Sequence, residues 1–359
     1  NRRTGAPPHT NFRLSRTGEF LGLFSPELPR HLVSDLRDRY PEQRNDHSYG
    51  RFDTDGLSYF STPTPGLPNS EDLISEILPN PSFSASRGYY DQPFQLVLSS
   101  VEPDAVVRYT TDKSEPTLEN GVTFTEPIAL SRSAVVRAAV FKTGLLPSET
   151  ITHSYLFRLS NARRSLPILS LVTDQDHLFG PQGIMETSPR NTVNRGRAWE
   201  RPVSVEYFLP DGVAAFQIDC GLRLQGGNYV RGRYDPNAGL PFSKYSYRLY
   251  FRGDYGESAL TYPLIPRSPA KEYKQIVLRA GMNDHSDPYV VDELVRRLSA
   301  DMGQVSSQGT LVNLFVNGVY KGYYNPTERI DEDFLDTWQG GQGDYDIIAQ
   351  FGEVRAGDT

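Results

Sequence analysis

Apolar and polar residues alternate over short runs through most of the chain, and turn-forming residues break the runs at regular intervals. Phe12 and Leu14 alternate with polar neighbours, Thr17 and Gly18 make a turn, and Glu19 to Phe24 reads as a return strand. Phe94, Leu96 and Leu98 repeat the pattern. Val106, Val107 and Tyr109 then lead into a turn at Thr110 to Thr117, and 129–140 and 150–156 supply further strands. Val203, Val205 and Tyr207 share one strand face closed by Asp211-Gly212. More strands are expected over 215–225, Lys244 to Phe251, Tyr273 to Leu278, and both sides of Asn317-Gly318, a type I′ hairpin pair. A helical period occurs at Val290, Val291, Leu294, Leu298 and Met302. Asp292 with Arg296 and Glu293 with Arg297 fall on its polar side, Asp287 and Pro288 at its start, and Gly303 at its end. The spacing predicts burial of the apolar stripe. A second helix is expected from Asp331 to Trp338, and a short helix-like turn from Glu71 to Leu78 before Pro79 and Pro81 enforce extension.

Composition agrees with a β-rich, multidomain chain. There are 359 residues, 37% hydrophobic, with Gly 30, Pro 27, Tyr 21 and Phe 18 against Met 3. The net charge is -7 and no Lys/Arg run is dense enough to follow a phosphate backbone, which sets nucleic acid aside as a partner. No window reaches the roughly 18 apolar residues of a membrane span. The first thirty residues lack a signal-peptide core, and an opening at Asn1-Arg2-Arg3 implies a cut start with any export signal upstream. The lone Cys220 lies in an alternating run and is expected to be a small buried side chain, so neither a disulfide framework nor a thiolate cluster forms within the chain. The six histidines show no ligand-like spacing.

Candidate chemistry concentrates after residue 215. The strand before Gly226-Gly227-Asn228 ends in a turn whose glycines let backbone amides approach a phosphate, with Arg231 and Arg233 close behind; a plain turn is the alternative. Lys244, Ser246 and Arg248 recur with period two and so share a strand face, either beside an anion or as a solvated sheet face. Glu293 lies on the capped helix, where it either meets a phosphate-binding cation or pairs with Arg297. Asp112 with Glu115, and Asp174 with Asp176, read as turn and cap carboxylates rather than as a glycosidase pair or metal ligands.

Several phrases carry resemblances. TNFRLSRTGEFLGL, YPEQRNDHSYGR and TPTPGLPN resemble the second half of a lamin-tail domain; YTTDKSEPT, with GYYDQPFQLVLSS before it and EPIALSRSAVVRAAVF after it, is similar to the sandwich module at the C-terminus of chitobiases and hexosaminidases. GLRLQGG, KYSYRLYF, LRAGMNDHSDPYVVDELVRRLSADMG, VNGVYKGYYNPTERIDEDFL and YDIIAQFGEVRAGDT together resemble the spore-coat protein H (CotH) kinase family. The expected architecture is therefore two all-β immunoglobulin-like sandwich modules followed by an α+β kinase-like domain truncated after its hinge. Its divisions are a lamin-tail-like part at 1–69, a linker at 70–80, a chitobiase-type module at 81–158 and a kinase-like domain at 165–359.

The CotH resemblance implies an atypical kinase of the secretory pathway that uses ATP and a divalent metal, magnesium, to phosphorylate serines of protein partners, at a bacterial cell surface or outside the cell. It puts Lys244 and Arg248 on the phosphate side and Glu328 at the hairpin's close, joining Gly226, Gly227, Asn228 and Glu293 as nucleotide-site residues. This chain departs at Tyr229-Val230, where the family commonly has serines. The family's catalytic aspartate and Asp-x-Asp metal site lie past the hinge helix, so no catalytic residue or metal ligand is assigned here. The competing reading is a non-enzymatic adhesion or scaffold protein with a degenerate kinase-like part and sandwiches that bind carbohydrate or cell wall.

Overall fold

The computed structural model describes residues 14–53, 56–282, 284, 285, 290–341, 343, 345–348, 352 and 354–356. The chain divides into two compact units, one of 1–78 with 141–148 and one of 79–140 with 149–359. In the first, Gly22–Phe24 pairs with Leu32–Asp35, and Ser48–Arg51, Leu57–Phe60 and Leu73–Ile74 make a three-stranded sheet. The Thr17-Gly18 turn forms, with Gly18 at φ 94°, but the strand after it pairs forward with Leu32–Asp35. Phe12 lies outside the described residues. The helix-like turn expected at Glu71 to Leu78 is instead extended: Leu73 and Ile74 pair with Phe60 and Tyr59. Two buried tyrosines fill this small core, each donating its hydroxyl to a carbonyl, Tyr40 to Ser15 at 2.8 Å and Tyr59 to Glu42 at 2.6 Å.

The second unit begins with a β-sandwich module. Its larger sheet runs Val122–Thr123, Val106–Thr110, Ala134–Phe141, Ile151–Phe157, Gly88–Tyr90, and shorter pairs such as Phe94–Leu96 with Ile128–Leu130 accompany it. The Asp112 carboxylate accepts from the amide and hydroxyl of Ser114, which holds its pKa low, and Glu115 pairs with Arg137. Both acids are turn supports, as their spacing implied.

A closed seven-stranded barrel follows. Its strands are β1 (Ile168–Val172), β2 (Arg201–Phe208), β3 (Ala214–Gln225), β4 (Ser246–Tyr250), β5 (Gln275–Arg279), β6 (Val312–Val316) and β7 (Val319–Glu328), in the order β1-β2-β3-β4-β5-β7-β6. All neighbours are antiparallel except β1 and β6, whose parallel pairing closes the barrel. Val203, Val205, Tyr207, Cys220, Leu249 and Ile276 point into one buried cluster, and Cys220 is fully buried as expected. Asn317 and Gly318 have φ of 51° and 77°, the positive pair a type I′ turn needs. Helix α1 (Val291–Asp301) stands between β5 and β6, and α2 (Glu332–Gln339) follows β7. Asp331 caps α2 by accepting from the Phe334 amide at 3.1 Å, and Gly340 ends it in the left-handed conformation. The cap expected at Asp287 and Pro288 falls outside the described residues.

One expectation is reversed. The apolar stripe of α1 faces outward, with Leu294 50%, Leu298 51% and Met302 78% exposed, while Glu293 is 5% exposed. The polar side of the helix is the one anchored to the barrel, for reasons that lie in the site itself.

Behind the barrel, the side of β2 that faces the sandwich carries a fully buried carboxylate, Glu206. Its Oε1 accepts from the Ser154 amide at 2.9 Å and lies 3.6 Å from Arg87. Burial raises its pKa to about 7, against the pull of Arg87. A carboxyl whose folded pKa exceeds its unfolded value binds its proton more tightly when folded, so stability falls as pH rises through the interval between the two values. Thermal unfolding scans are expected to show that decline between about pH 4.5 and about pH 7, and Glu206→Gln to flatten it. An undiminished slope in the variant would assign the pH dependence elsewhere.

Candidate functional site

The outer face of the barrel carries a cleft of about 460 Å³ roofed by α1. Strand alternation decides what lines it. Leu224, Tyr247 and Leu278 point into the core, so Gln225, Ser246, Val277 and Arg279 point out, and Asn325 joins them from β7. Gly226, with φ 135°, begins the turn that borders the cleft, and Asp284, Asp292 and Glu293 bring acid to its other side.

Glu293 is the best-connected group here. Its Oε2 accepts from Arg296 at 2.6 Å and from Asn325 Nδ2 at 3.1 Å, and its Oε1 accepts from Arg297 at 2.6 Å. Burial alone raises its pKa, but hydrogen bonds from Arg297, Arg296 and Asn325 outweigh it and leave the carboxylate below its ordinary value. The loop opposite approaches so closely that a Cβ on Gly309 would lie 2.5 Å from Glu293 Oε2. This network turns the polar side of α1 inward. The pairing with Arg297 foreseen from spacing is present, with Arg296 added.

The predicted site residues are not all brought together. Gly226 and Glu293 line the cleft. Gly227 caps a single helical turn, Asn228–Arg231, by accepting from the Val230 and Arg231 amides. The Asn228 side chain lies outside the described set. Arg231 is buried and spent on the carbonyls of Thr192 and Asn194, so it adds no charge to the cleft, and Arg233 stacks 3.4 Å from the Tyr229 ring. Lys244 precedes β4 rather than sharing its face. Its Nζ donates to the Tyr323 carbonyl at 2.6 Å in a smaller neighbouring pocket that shares Gly281, Asp284 and Tyr323 with the cleft. Arg248 does face outward, cross-strand from Val277, with its guanidinium on Gln225 at 2.8 Å and Gln275 at 3.4 Å.

Glu328 stands apart. It is opposite Ile276, a core position, and clasps the end of the barrel, accepting from Ser268 at 2.5 Å, the Gln308 amide at 2.7 Å and Trp338 at 3.2 Å. Burial holds its pKa up. Its pocket is a separate one beside α2.

Arg279 is the cleft cation that sequence reasoning passed over. The signal was available: Gln275, Val277 and Arg279 alternate with Ile276 and Leu278. Arg279 Nε lies 2.8 Å from the Asp292 carboxylate. The arrangement thus offers a glycine turn, an outward cation on the third strand counted from that turn, an apolar floor at Val277, and a helix bearing adjacent acids.

Residues 230–351 match the family described as CotH kinase protein, and residues 96–155 match the one described as Fn3 associated. The second match gives the module at 81–158 the coarser description Fn3 associated rather than the chitobiase type, and the lamin-tail resemblance of 1–69 lies outside both matched ranges. No curated protein matches the chain.

Because Glu293 accepts from Arg296, Arg297 and Asn325 and ties α1 to β7, Glu293→Ala leaves the Asn325 amide and Arg297 short of an acceptor while Arg296 keeps Asp292; about 2–3 kcal/mol of stability should be lost. Denaturant midpoints measure this. Asp331→Ala, which removes only the α2 cap, should cost about 1 kcal/mol, and equal losses for both variants would contradict the ranking.

Proposed function

We propose that the barrel and α1 form the nucleotide-binding lobe of an atypical protein kinase, one that takes ATP with magnesium and phosphorylates serines of protein partners. The single observation that carries this reading is Arg279. In kinases a glycine-rich turn covers the phosphates, a cation on the third strand pairs with them, and an acid on the following helix orients that cation. Here the strands from the glycine turn run first, second, third, fifth, fourth, with the helix between third and fourth, and Arg279 occupies the third strand. The CotH match over 230–351 supports the same reading.

The cleft volume lies within the range of about 300–1,000 Å³ that small-molecule sites occupy. Arg279 would hold phosphate oxygens, the Gly226 turn would admit backbone close to them, and Val277 would support the base. Magnesium, when bound, supplies charge neutralisation across the phosphates. Arg248 is a positioning group behind Val277, and Lys244 borders the cleft without entering it. The sandwich modules, with their resemblance to lamin-tail and chitobiase-type domains, act as accessory binders of wall or carbohydrate at a bacterial cell surface.

A second reading is favoured by one contact. Arg279 is paired with Asp292 and Glu293 with two arginines, so the acid that neighbours the strand cation is not the buried one. A scaffold protein with a degenerate kinase-like part would have that arrangement permanently.

Thermal shift separates the two. ATP with magnesium at about a hundred times its dissociation constant should stabilise the chain by about 2.7 kcal/mol, and Arg279→Ala should abolish the shift without lowering the unliganded melting point. Absence of any shift with the wild-type chain at millimolar ATP would sink the kinase reading and leave the scaffold.

A further inference from the structure

Among the described residues, Lys244 has no ion pair with an acid, and its ammonium has one hydrogen-bond acceptor, the Tyr323 carbonyl at 2.6 Å. Its other neighbours are aromatic faces, with Nζ 4.5 Å from the Tyr323 ring centre and 4.7 Å from that of Tyr324. A Cβ built on Gly322 would sit 3.6 Å from the Lys244 Cε.

The amine lines a pocket of about 90 Å³ with Leu240, Pro241, Ala280, Gly281, Asp284 and His285. The titratable groups of that pocket are committed elsewhere. Asp284 accepts from the Asp292 amide at 3.1 Å, His285 Nδ1 contacts the Met282 carbonyl at 2.7 Å, and the Tyr323 and Tyr324 hydroxyls donate to the carbonyls of Asp284 and Tyr245. None of these forms an ion pair with the ammonium.

We propose that Lys244 is a covalent modification site: an amine set in a small, largely apolar pocket that condenses with small aldehydes. The volume equals that of about three water molecules at roughly 30 Å³ each, enough for a two- or three-carbon aldehyde. Burial supports the chemistry by lowering the lysine pKa to about 8. Near neutral pH that raises the neutral fraction on the order of a hundredfold over a lysine titrating at about 10.4.

The step balances without an oxidant. The ammonium gives a proton to water. The Nζ lone pair then attacks the aldehyde carbon, forming a C–N bond, and the carbonyl π pair moves to oxygen and takes a proton. The nitrogen, left positively charged by attack, releases a proton, the carbinolamine hydroxyl takes a proton from solvent and leaves as water, and loss of the last N–H proton gives the C=N imine, so amine plus aldehyde gives imine plus water. The Tyr323 carbonyl keeps one N–H in place before attack and fixes the side chain toward the pocket.

The test uses the full chain with propionaldehyde at low stoichiometry and cyanoborohydride to trap the imine. Peptide mass spectrometry then compares Lys244 with the exposed Lys271 and Lys321. Lys244 should label about tenfold faster or more near neutral pH, with a rate midpoint near pH 8. Lys244→Arg should remove that fast site and leave the slow ones. Labelling of Lys244 no faster than Lys271 and Lys321, or a midpoint at the ordinary lysine value, would overturn the proposal. No nucleotide enters the experiment, so its failure is distinct from failure of the kinase reading.

Discussion

A buried carboxylate holds the candidate site in shape. Glu293 is surrounded by two guanidiniums and the amide of Asn325, and through that amide it joins α1 to the outer face of the barrel. Removing a carboxylate from water is costly, and the cost is offset only when donors surround it with good geometry. Here three side chains do so, and the close approach of Gly309 leaves no room for slack. The position of every cleft residue on α1 follows from this one polar anchor, which is why the helix presents its acids to the sheet.

The same anchor explains the outward apolar stripe. A helix with polar and apolar sides ordinarily buries the second. With Glu293 and Arg296 committed to Asn325, Leu294 and Leu298 are carried to the opposite side. Hydrophobic periodicity measures only what the apolar residues would gain. It does not register a specific hydrogen-bonded cluster on the other face, and in α1 that cluster decided the orientation.

Where local rules suffice, the sequence was legible. Asn317-Gly318, Asp211-Gly212, Asp331 and Gly303 each specify a turn, cap or stop through their own backbone preferences, and each does so in the fold. The alternating strands of the barrel could likewise be read, whereas its closure could not. Pairing of β1 with β6 joins residues far apart in the chain, and nothing in Ile168–Val172 names its partner. The site was read in part for the same reason. Gly226 and Glu293 announce themselves by residue type and position. Glu328 was placed by resemblance, and its side chain follows the core register of Ile276 instead. Lys244 was assigned to a strand face although the strand begins two residues later.

The contact between Arg279 and Asp292 gives the cleft a built-in competitor. An incoming anion exchanges one ionic partner of the guanidinium for another, so the free energy it gains is the difference between two similar attractions. An anion that took Arg279 would be held the less tightly for this exchange, and the first turn of α1, released from Arg279, would register its arrival and departure.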